Sequence, residues 1–358
     1  MATRLWLVGG FLGAGKTTLL LQTAHLLTEQ GYRVGLITND QAQDLVDTAM
    51  ARAQDIPVME VSGGCFCCNF PDLLTSIQQL QERIQPDVIL GEPVGSCTDL
   101  ISTIFRPLHK YYPGQFQVAP LTVLIDPLRD PESFPREVEY IYDRQLTEAN
   151  IIALSKSDLF DPDTARQQVQ QLQERYPKAQ IIRCSAKTGE GLQTWIETCL
   201  QQSSDIGETL EMNYETYAQG EAHLGWLNAT ATLHANPPFL PIDWIERFFR
   251  AVEHGCVIKG AAVAHIKIHL TTSTDAYKVS LTQLGRTPSW DLRPAEIAVD
   301  QANFILNARV GTTPPILEEI VRQALAQVTS SSGMQADLTH LECFSPLPPR
   351  PTHRLLQL

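Results

Sequence analysis

The chain is predicted to fold as a doubly wound α/β unit with a mostly parallel sheet, followed by a smaller α+β unit of ferredoxin-like element order. Three observations carry that prediction. Over residues 1–200, short apolar runs rich in β-branched residues alternate with segments of helical periodicity. A glycine-rich stretch, Gly10-Phe-Leu-Gly13-Ala14-Gly15-Lys16-Thr17, separates the first such run from the first helical segment. Beyond residue 220 the pattern changes character, and 358 residues exceed one ordinary core.

Residues 4–8, 34–38, 58–61, 88–90, 121–125, 151–154 and 180–183 read as strands. They lack polar alternation, as strands covered on both faces do. Residues 16–30, 71–85, 98–108 and 162–176 have helical spacing. Ser96 and Asp161 are the expected caps of the last two, and Pro162 suits a first helical turn. The polar, aperiodic stretch 203–219 marks the expected boundary, giving a first domain of residues 1–203. In a second domain, 220–330, residues 223–234, 261–271, 277–281 and 303–310 read as strands, and 242–253 and 316–328 as helices. Residues 331–358, Pro-rich from Met334 onward, are expected to form a tail.

A hydrophobic content of 43% with 19% charged residues describes a soluble globular chain. The formal charge of −13 argues against a nucleic-acid partner, which a basic patch would mark. No apolar run reaches membrane-spanning length, so no membrane partner is expected. The first residues run directly into the glycine loop and read as a strand, not as a signal peptide. Of eight cysteines, three fall within four positions, which suggests reduced, metal-binding thiols and a cytoplasmic location.

Gly10-x-x-x-x-Gly15-Lys16-Thr17 fits a phosphate-binding loop, with a strand before it and a helix after it. Glycines let backbone N–H groups curl around phosphates, and the helix N-terminus adds positive potential. Lys16 can bridge phosphate oxygens and Thr17 can ligate Mg²⁺. Asp40 and Glu92 follow predicted strands on the ligand-binding edge of the sheet, where a second Mg²⁺ contact belongs, and Gly95 supplies an N–H near a terminal phosphate. Asp126, before Pro127, reads as a turn carboxylate. Ser155-Lys156-Ser157-Asp158 resembles the guanine motif Asn-Lys-x-Asp: the Asp158 carboxylate can accept from two guanine N–H groups, and Lys156 can lay its stem over the base. Ser185-Ala186-Lys187 resembles the loop whose backbone meets the guanine carbonyl. GTP is therefore favoured over ATP, although Ser155 stands where the motif has Asn.

Cys65, Cys67 and Cys68 lie in a short loop between a strand and a helix. Thiolates select Zn²⁺, Cu⁺ and other soft or borderline ions, and three of them leave an exchangeable fourth position. Gly63 and Gly64 argue for a loose loop and against burial of the sulfurs. No second Cys pair stands nearby, which argues against a closed four-cysteine site. Cys97, alone at a helix start, reads as packing that can approach the Glu92–Gly95 loop. Cys184, Cys199, Cys256 and Cys343 read as structural. His265 and His269 share one strand face and read as surface imidazoles, with a secondary metal site as the alternative.

Together, Gly-Gly-Phe-Leu-Gly-Ala-Gly-Lys-Thr-Thr, Gly-Gly-Cys-Phe-Cys-Cys, Glu-Pro-Val-Gly and Ser-Lys-Ser-Asp resemble the CobW-like family of P-loop GTPases, relatives of the urease and hydrogenase maturation GTPases. The resemblance implies that Lys16, Thr17, Thr18, Asp40, Glu92, Gly95 and Asp158 serve nucleotide and Mg²⁺, and that Cys65, Cys67 and Cys68 hold a transition metal, Zn²⁺ or Co²⁺. The expected activity is GTP hydrolysis to GDP and phosphate, timing metal delivery to a client metalloprotein. The alternative is a GTP-gated chaperone of a cobalamin- or corrinoid-dependent enzyme. No residue stands out as a strong base for the attacking water, so turnover is expected to be slow until a client or a second copy, as a homodimer, completes the site.

Overall fold

The structure, a computed structural model, describes residues 3–39, 56–61, 64–330 and 333–357. Asp40 and Gly63 lie outside the described residues.

The first sheet holds eight parallel strands: β1 (Thr3–Gly10), β2 (Val34–Asn39), β3 (Val58–Val61), β4 (Val88–Glu92), β5 (Phe116–Val118), β6 (Thr122–Ile125), β7 (Ile151–Leu154) and β8 (Gln180–Arg183). Their order is β3-β2-β4-β1-β6-β7-β8, with β5 paired to the start of β1. Successive residues of β1 feed opposite faces. Leu5 and Leu7 pack with Leu73, Ile77 and Leu80 of helix α2 (Phe70–Ile84). Trp6 and Val8 pack with Leu19, Leu20 and Leu27 of α1 (Lys16–Glu29) and with Trp195 of α6 (Leu192–Gln201). Burial on both faces explains why these strands read as continuous apolar runs. The chain leaves β1 for β2 on one side and later reaches β6 on the other, so a ligand crevice opens where the loop after β1 begins α1.

The helix expected at 98–108 starts later. A π-helical turn, Ile101–Phe105, runs into α3 (Arg106–Tyr111), while Thr98 and Asp99 precede it in non-helical conformation; Ser96 does not cap it. Asp161 does cap α5 (Pro162–Arg175), accepting from the N–H groups of Asp163 and Thr164. The α4 helix (Arg136–Thr147), α6 and α7 (Tyr214–Ala222) were not among the expected elements. Six of the nine residues of α7 lie inside the stretch 203–219 that reads as aperiodic linker in the sequence.

The second sheet is antiparallel, in order β12-β11-β10-β13-β9-β14. Its elements are β9 (Gly225–Phe239), α8 (Pro241–Lys259), β10 (Ala262–Thr271), β11 (Ala276–Leu281), β12 (Ser289–Leu292), β13 (Val299–Gly311), α9 (Pro314–Ser330) and β14 (Met334–Phe344). Leaving out the β11–β12 hairpin on the edge, β9-α8-β10-β13-α9-β14 is the split βαβ arrangement of ferredoxin-like sheets. The fourth strand is β14, from the segment expected to be a tail; it alternates polar and apolar residues and pairs with β9 from Met334 to Phe344. Ile266, Ile268, Phe304 and Leu306 turn to the core shared with α8 and α9. The opposite face carries Trp226, His265, Lys267, Lys278 and Arg309 and looks onto the loop after β1. Trp226 of β9 stacks on Phe344 of β14 at 5.8 Å and joins the core of the first sheet. Among the described residues no helix is long and apolar enough to cross a membrane.

Candidate functional site

The loop after β1 is built on glycine geometry. At Gly10 (φ 130°), an added Cβ would lie 2.5 Å from the Leu124 carbonyl oxygen, and at Gly13 (φ 78°) 2.6 Å from Thr282 at the end of β11. Gly15, with φ 96°, opens α1. Lys16 Nζ donates to the Gly10 carbonyl at 2.9 Å and lies 3.9 Å from Glu92 Oε1, which accepts from Thr17 Oγ1 at 3.1 Å. The predicted Lys16, Thr17 and Glu92 therefore meet in one buried cluster. Thr18 and Gly95 line the same cleft. A Cβ on Gly95 would lie 2.8 Å from Leu12 Cδ2, so the loop after β4 sits directly on the glycine loop. Ala14 is buried and its carbonyl accepts from Ser155 Oγ at 2.8 Å. Serine here supplies the tie to the glycine loop.

Lys156, in left-handed conformation, reaches the Gly13 carbonyl at 3.2 Å and Asp126 Oδ2 at 2.8 Å. Asp126 also accepts from the Leu128 N–H, so it is a turn carboxylate that additionally aims Lys156. Ser185 Oγ donates to Asp158 Oδ1 at 2.6 Å and fixes that carboxylate, bringing together the two segments expected to recognise the base. Ala186 is half-buried and Lys187 exposed on the same loop.

The sulfurs of Cys65, Cys67 and Cys68 converge. Cys65 Sγ is 2.8 Å from Cys67 Sγ and 3.3 Å from Cys68 Sγ, and Cys67 and Cys68 are 3.8 Å apart. Contrary to the expectation from Gly63 and Gly64, Cys65 and Cys67 are buried; only Cys68 is half-exposed. The loop is held from inside by Asn39, whose amide donates to the Val61 and Gly64 carbonyls and accepts from the Phe66 N–H. Contact with the Cys67 and Cys68 sulfurs pulls the Cys65 thiol well below its ordinary range. Cys67 and Cys68 are pushed the other way, Cys68 to about 11, by contact with the Cys65 sulfur and by burial. Three sulfurs this close together suit a soft or borderline cation.

His265 and His269 do share a strand face, but His269 is buried and His265 half-buried on the wall of the nucleotide cleft. Burial, with the charges of Lys267, Lys16, Arg129 and Lys156, holds His265 neutral, well below its ordinary pKa. Among the described residues the one group of metal-ligating side chains is the cysteine trio.

Several functional residues escape sequence reasoning. Asn39 joins β2 to the cysteine loop. Gln145, buried in α4, donates to the Gly95 and Cys97 carbonyls at 3.0 and 2.8 Å. Arg309 reaches from β13 to Ser96 Oγ at 3.4 Å and Glu221 at 3.5 Å, over the Trp226 ring. The only signal for the cleft's basic wall is the alternation in β10, β11 and β13, where His265, Lys267, Lys278 and Arg309 fall between apolar residues. Alternation of that kind reads as a solvent face unless the facing unit is known.

A parallel sheet switching direction above a glycine loop, with Lys16, Thr17 and Glu92 at its mouth, defines a P-loop nucleotide-binding domain. Residues 4–183 match the family model described as CobW/HypB/UreG, nucleotide-binding domain, and the chain belongs to that family. It is 28% identical to the zinc chaperone YeiR of Escherichia coli (strain K12) over 169 residues, 45% of this chain and 49% of that one. The zinc chaperone YjiA of the same organism is 30% identical over 162 residues, 43% and 49% of the two chains. The zinc chaperone CobW of Sinorhizobium sp is 30% identical over 189 residues, 43% and 51%. The chain therefore spans about half the length of the curated relatives it matches.

Proposed function

We propose that the chain is a Mg²⁺-dependent GTPase that carries a transition-metal ion, Zn²⁺ first and Co²⁺ as the alternative, on Cys65, Cys67 and Cys68 and passes it to a client protein. The observation that carries this reading is the convergence of three sulfurs on a loop tied to β2 by Asn39, a residue that itself lines the nucleotide cleft. Three matched relatives bear the name zinc chaperone, which agrees with it.

Lys16 neutralises phosphate charge from the α1 side, while Lys267, Lys278 and Arg309 bring cations from the second sheet. The hydroxyl of Thr17 and the carboxylate of Glu92, 3.1 Å apart, are the hard oxygen donors that suit Mg²⁺, with Asp40, next after β2 in the sequence, as the further carboxylate. Bound there, Mg²⁺ would offset charge on the phosphates. Asp158, fixed by Ser185, selects guanine, and Lys156 lies over the base. Gly95 brings a backbone N–H against the glycine loop, where a terminal phosphate would draw it in. Of the described carboxylates lining the cleft, Glu92 is engaged by Thr17 and Asp291 by Lys278, so no described residue there is a poised base and hydrolysis alone stays below about one turnover per second.

The test is equilibrium zinc binding to the purified protein with GDP, with GTP and with a non-hydrolysable GTP analogue. One zinc per chain is expected, with an affinity that differs about fivefold or more between nucleotides. Lys16→Ala should abolish both hydrolysis and that difference. Equal hydrolysis of ATP and GTP, or zinc affinity indifferent to nucleotide, contradicts the reading.

A further inference from the structure

Cys97 lies only 2% exposed, in the bend that follows Glu92-Pro-Val-Gly95, and is packed in the same buried cluster as Cys65 and Cys67. The backbone that delivers it is hydrogen-bonded on both sides. Its N–H donates to the Val94 carbonyl at 2.9 Å and its carbonyl accepts from Gln145. Cys65, Cys68 and Cys97 also border one cavity with Glu221 and Tyr217, so the fourth sulfur faces the same space as two of the trio. Spacing along the chain hides this, because 29 residues separate Cys68 from Cys97 and only the fold brings β4 beside the cysteine loop.

We propose that Cys97 is a fourth sulfur ligand of the metal site, and that it is the ligand the nucleotide moves. The inference rests on the metal-carrying reading above and adds its regulation. Zn²⁺ entering four thiols forms four metal–sulfur bonds and releases four protons to water, giving a closed tetrahedral site. Cys97 is the one ligand carried by the loop that senses nucleotide. Glu92, five residues earlier, contacts Thr17; Gly95 rests on Leu12; and Ser96 receives Arg309 from the cleft wall. A shift of that loop on phosphate binding changes the site between four sulfurs and three, and the three-sulfur form has an open position through which a client's ligand takes the ion.

The test uses the full chain, reduced and anaerobic, with Co²⁺ and Zn²⁺ as probes. X-ray absorption at the zinc edge of the wild-type protein counts sulfurs without any variant. Four at about 2.3 Å are expected in one nucleotide state, while three sulfurs and a lighter atom in both GDP and GTP-analogue states overturn the proposal. Cys97→Ser should lose one thiolate's share of the cobalt charge-transfer absorption, weaken zinc binding at least about tenfold, and no longer respond spectroscopically to nucleotide. A Cys97→Ser protein with the wild-type cobalt spectrum and affinity makes Cys97 mere packing and leaves the trio intact. Cys65/Cys67/Cys68→Ala retaining the wild-type cobalt spectrum instead sinks the metal-carrying reading itself, so the two failures are separable.

Discussion

Glu148 ends α4 as a buried carboxyl, accepting from Thr98 Oγ1 at 3.1 Å and from the Ile101 N–H. Burial, with the nearby charge of Asp99, pushes its pKa up to about 8. The folded chain therefore keeps a proton that the unfolded chain loses near the ordinary glutamate value. Its contribution to stability is complete below that ordinary value and declines as pH rises toward about 8. Glu148→Gln removes the ionisation while keeping an acceptor for Thr98. The variant is expected to match wild type within about 1 kcal/mol at pH 5 and to exceed it by about 1–3 kcal/mol at pH 9. Urea midpoints at the two pH values measure this; parallel shifts in both proteins would contradict it. At the scale of single residues, the juxtapositions expected from motif spacing were the legible part: Lys16 and Thr17 meet Glu92, and Ser185 meets Asp158. Cys97, Gln145 and Arg129 act across the fold, and nothing in their local sequence says which surface they will meet.

The elements were legible where a single physical cause dominates. Doubly buried strands announce themselves by composition, and Asp161-Pro162 marks a helix start by capping chemistry. The misread elements have competing causes. Polar residues dominate α4, with Val138, Ile141, Gln145 and Leu146 as its buried stripe. In residues 334–358 the prolines that make 345–357 irregular obscured the alternating strand β14 before them. The irregular segment has work of its own beside the sulfurs. Arg350 N–H donates to Cys68 Sγ at 3.2 Å, and Thr352 donates through N–H to the Cys67 carbonyl and through Oγ1 to the Cys68 carbonyl, each at 2.8 Å. Arg354 anchors the strap to Asp99 at 2.7 Å, and His353 packs edge-on to Phe70. Replacing Thr352 with Val and Arg354 with Ala should loosen that cover. Cys68 in the double variant is expected to react with a thiol-specific reagent at least about threefold faster, with unfolding free energy lowered by about 1–2 kcal/mol. Unchanged Cys68 labelling, followed by mass spectrometry, would show that the strap does not limit access.

At the scale of the whole molecule, nucleotide cleft, sulfur cluster and second sheet form one connected structure, and Arg129 is its main fastening. Its buried guanidinium donates to the Leu12 carbonyl at 2.7 Å, to the Ala264 carbonyl at 2.7 Å, to Val263 at 3.3 Å and to Thr282. The rings of Phe11 and Phe134 lie 5.7 and 5.9 Å from it. One side chain thus joins the glycine loop to β10 and to the end of β11 using only neutral acceptors, and burial lowers its pKa to about 10. That leaves it charged throughout the physiological range. Arg129→Ala strands several buried carbonyls at once and is expected to cost about 2–4 kcal/mol. Arg129→Lys should recover only part of this, since a compact ammonium cannot match the fork that spans two sheets. The same change should weaken GTP binding about tenfold, because Leu12 supports Gly95 from below and Thr282 packs on Gly13. A protein in which Arg129 merely fills space would lose stability without losing nucleotide affinity. Measuring GTP affinity on the folded fraction, alongside denaturant unfolding, separates those outcomes: a wild-type nucleotide affinity in Arg129→Ala would mean that the second sheet covers the cleft without shaping it.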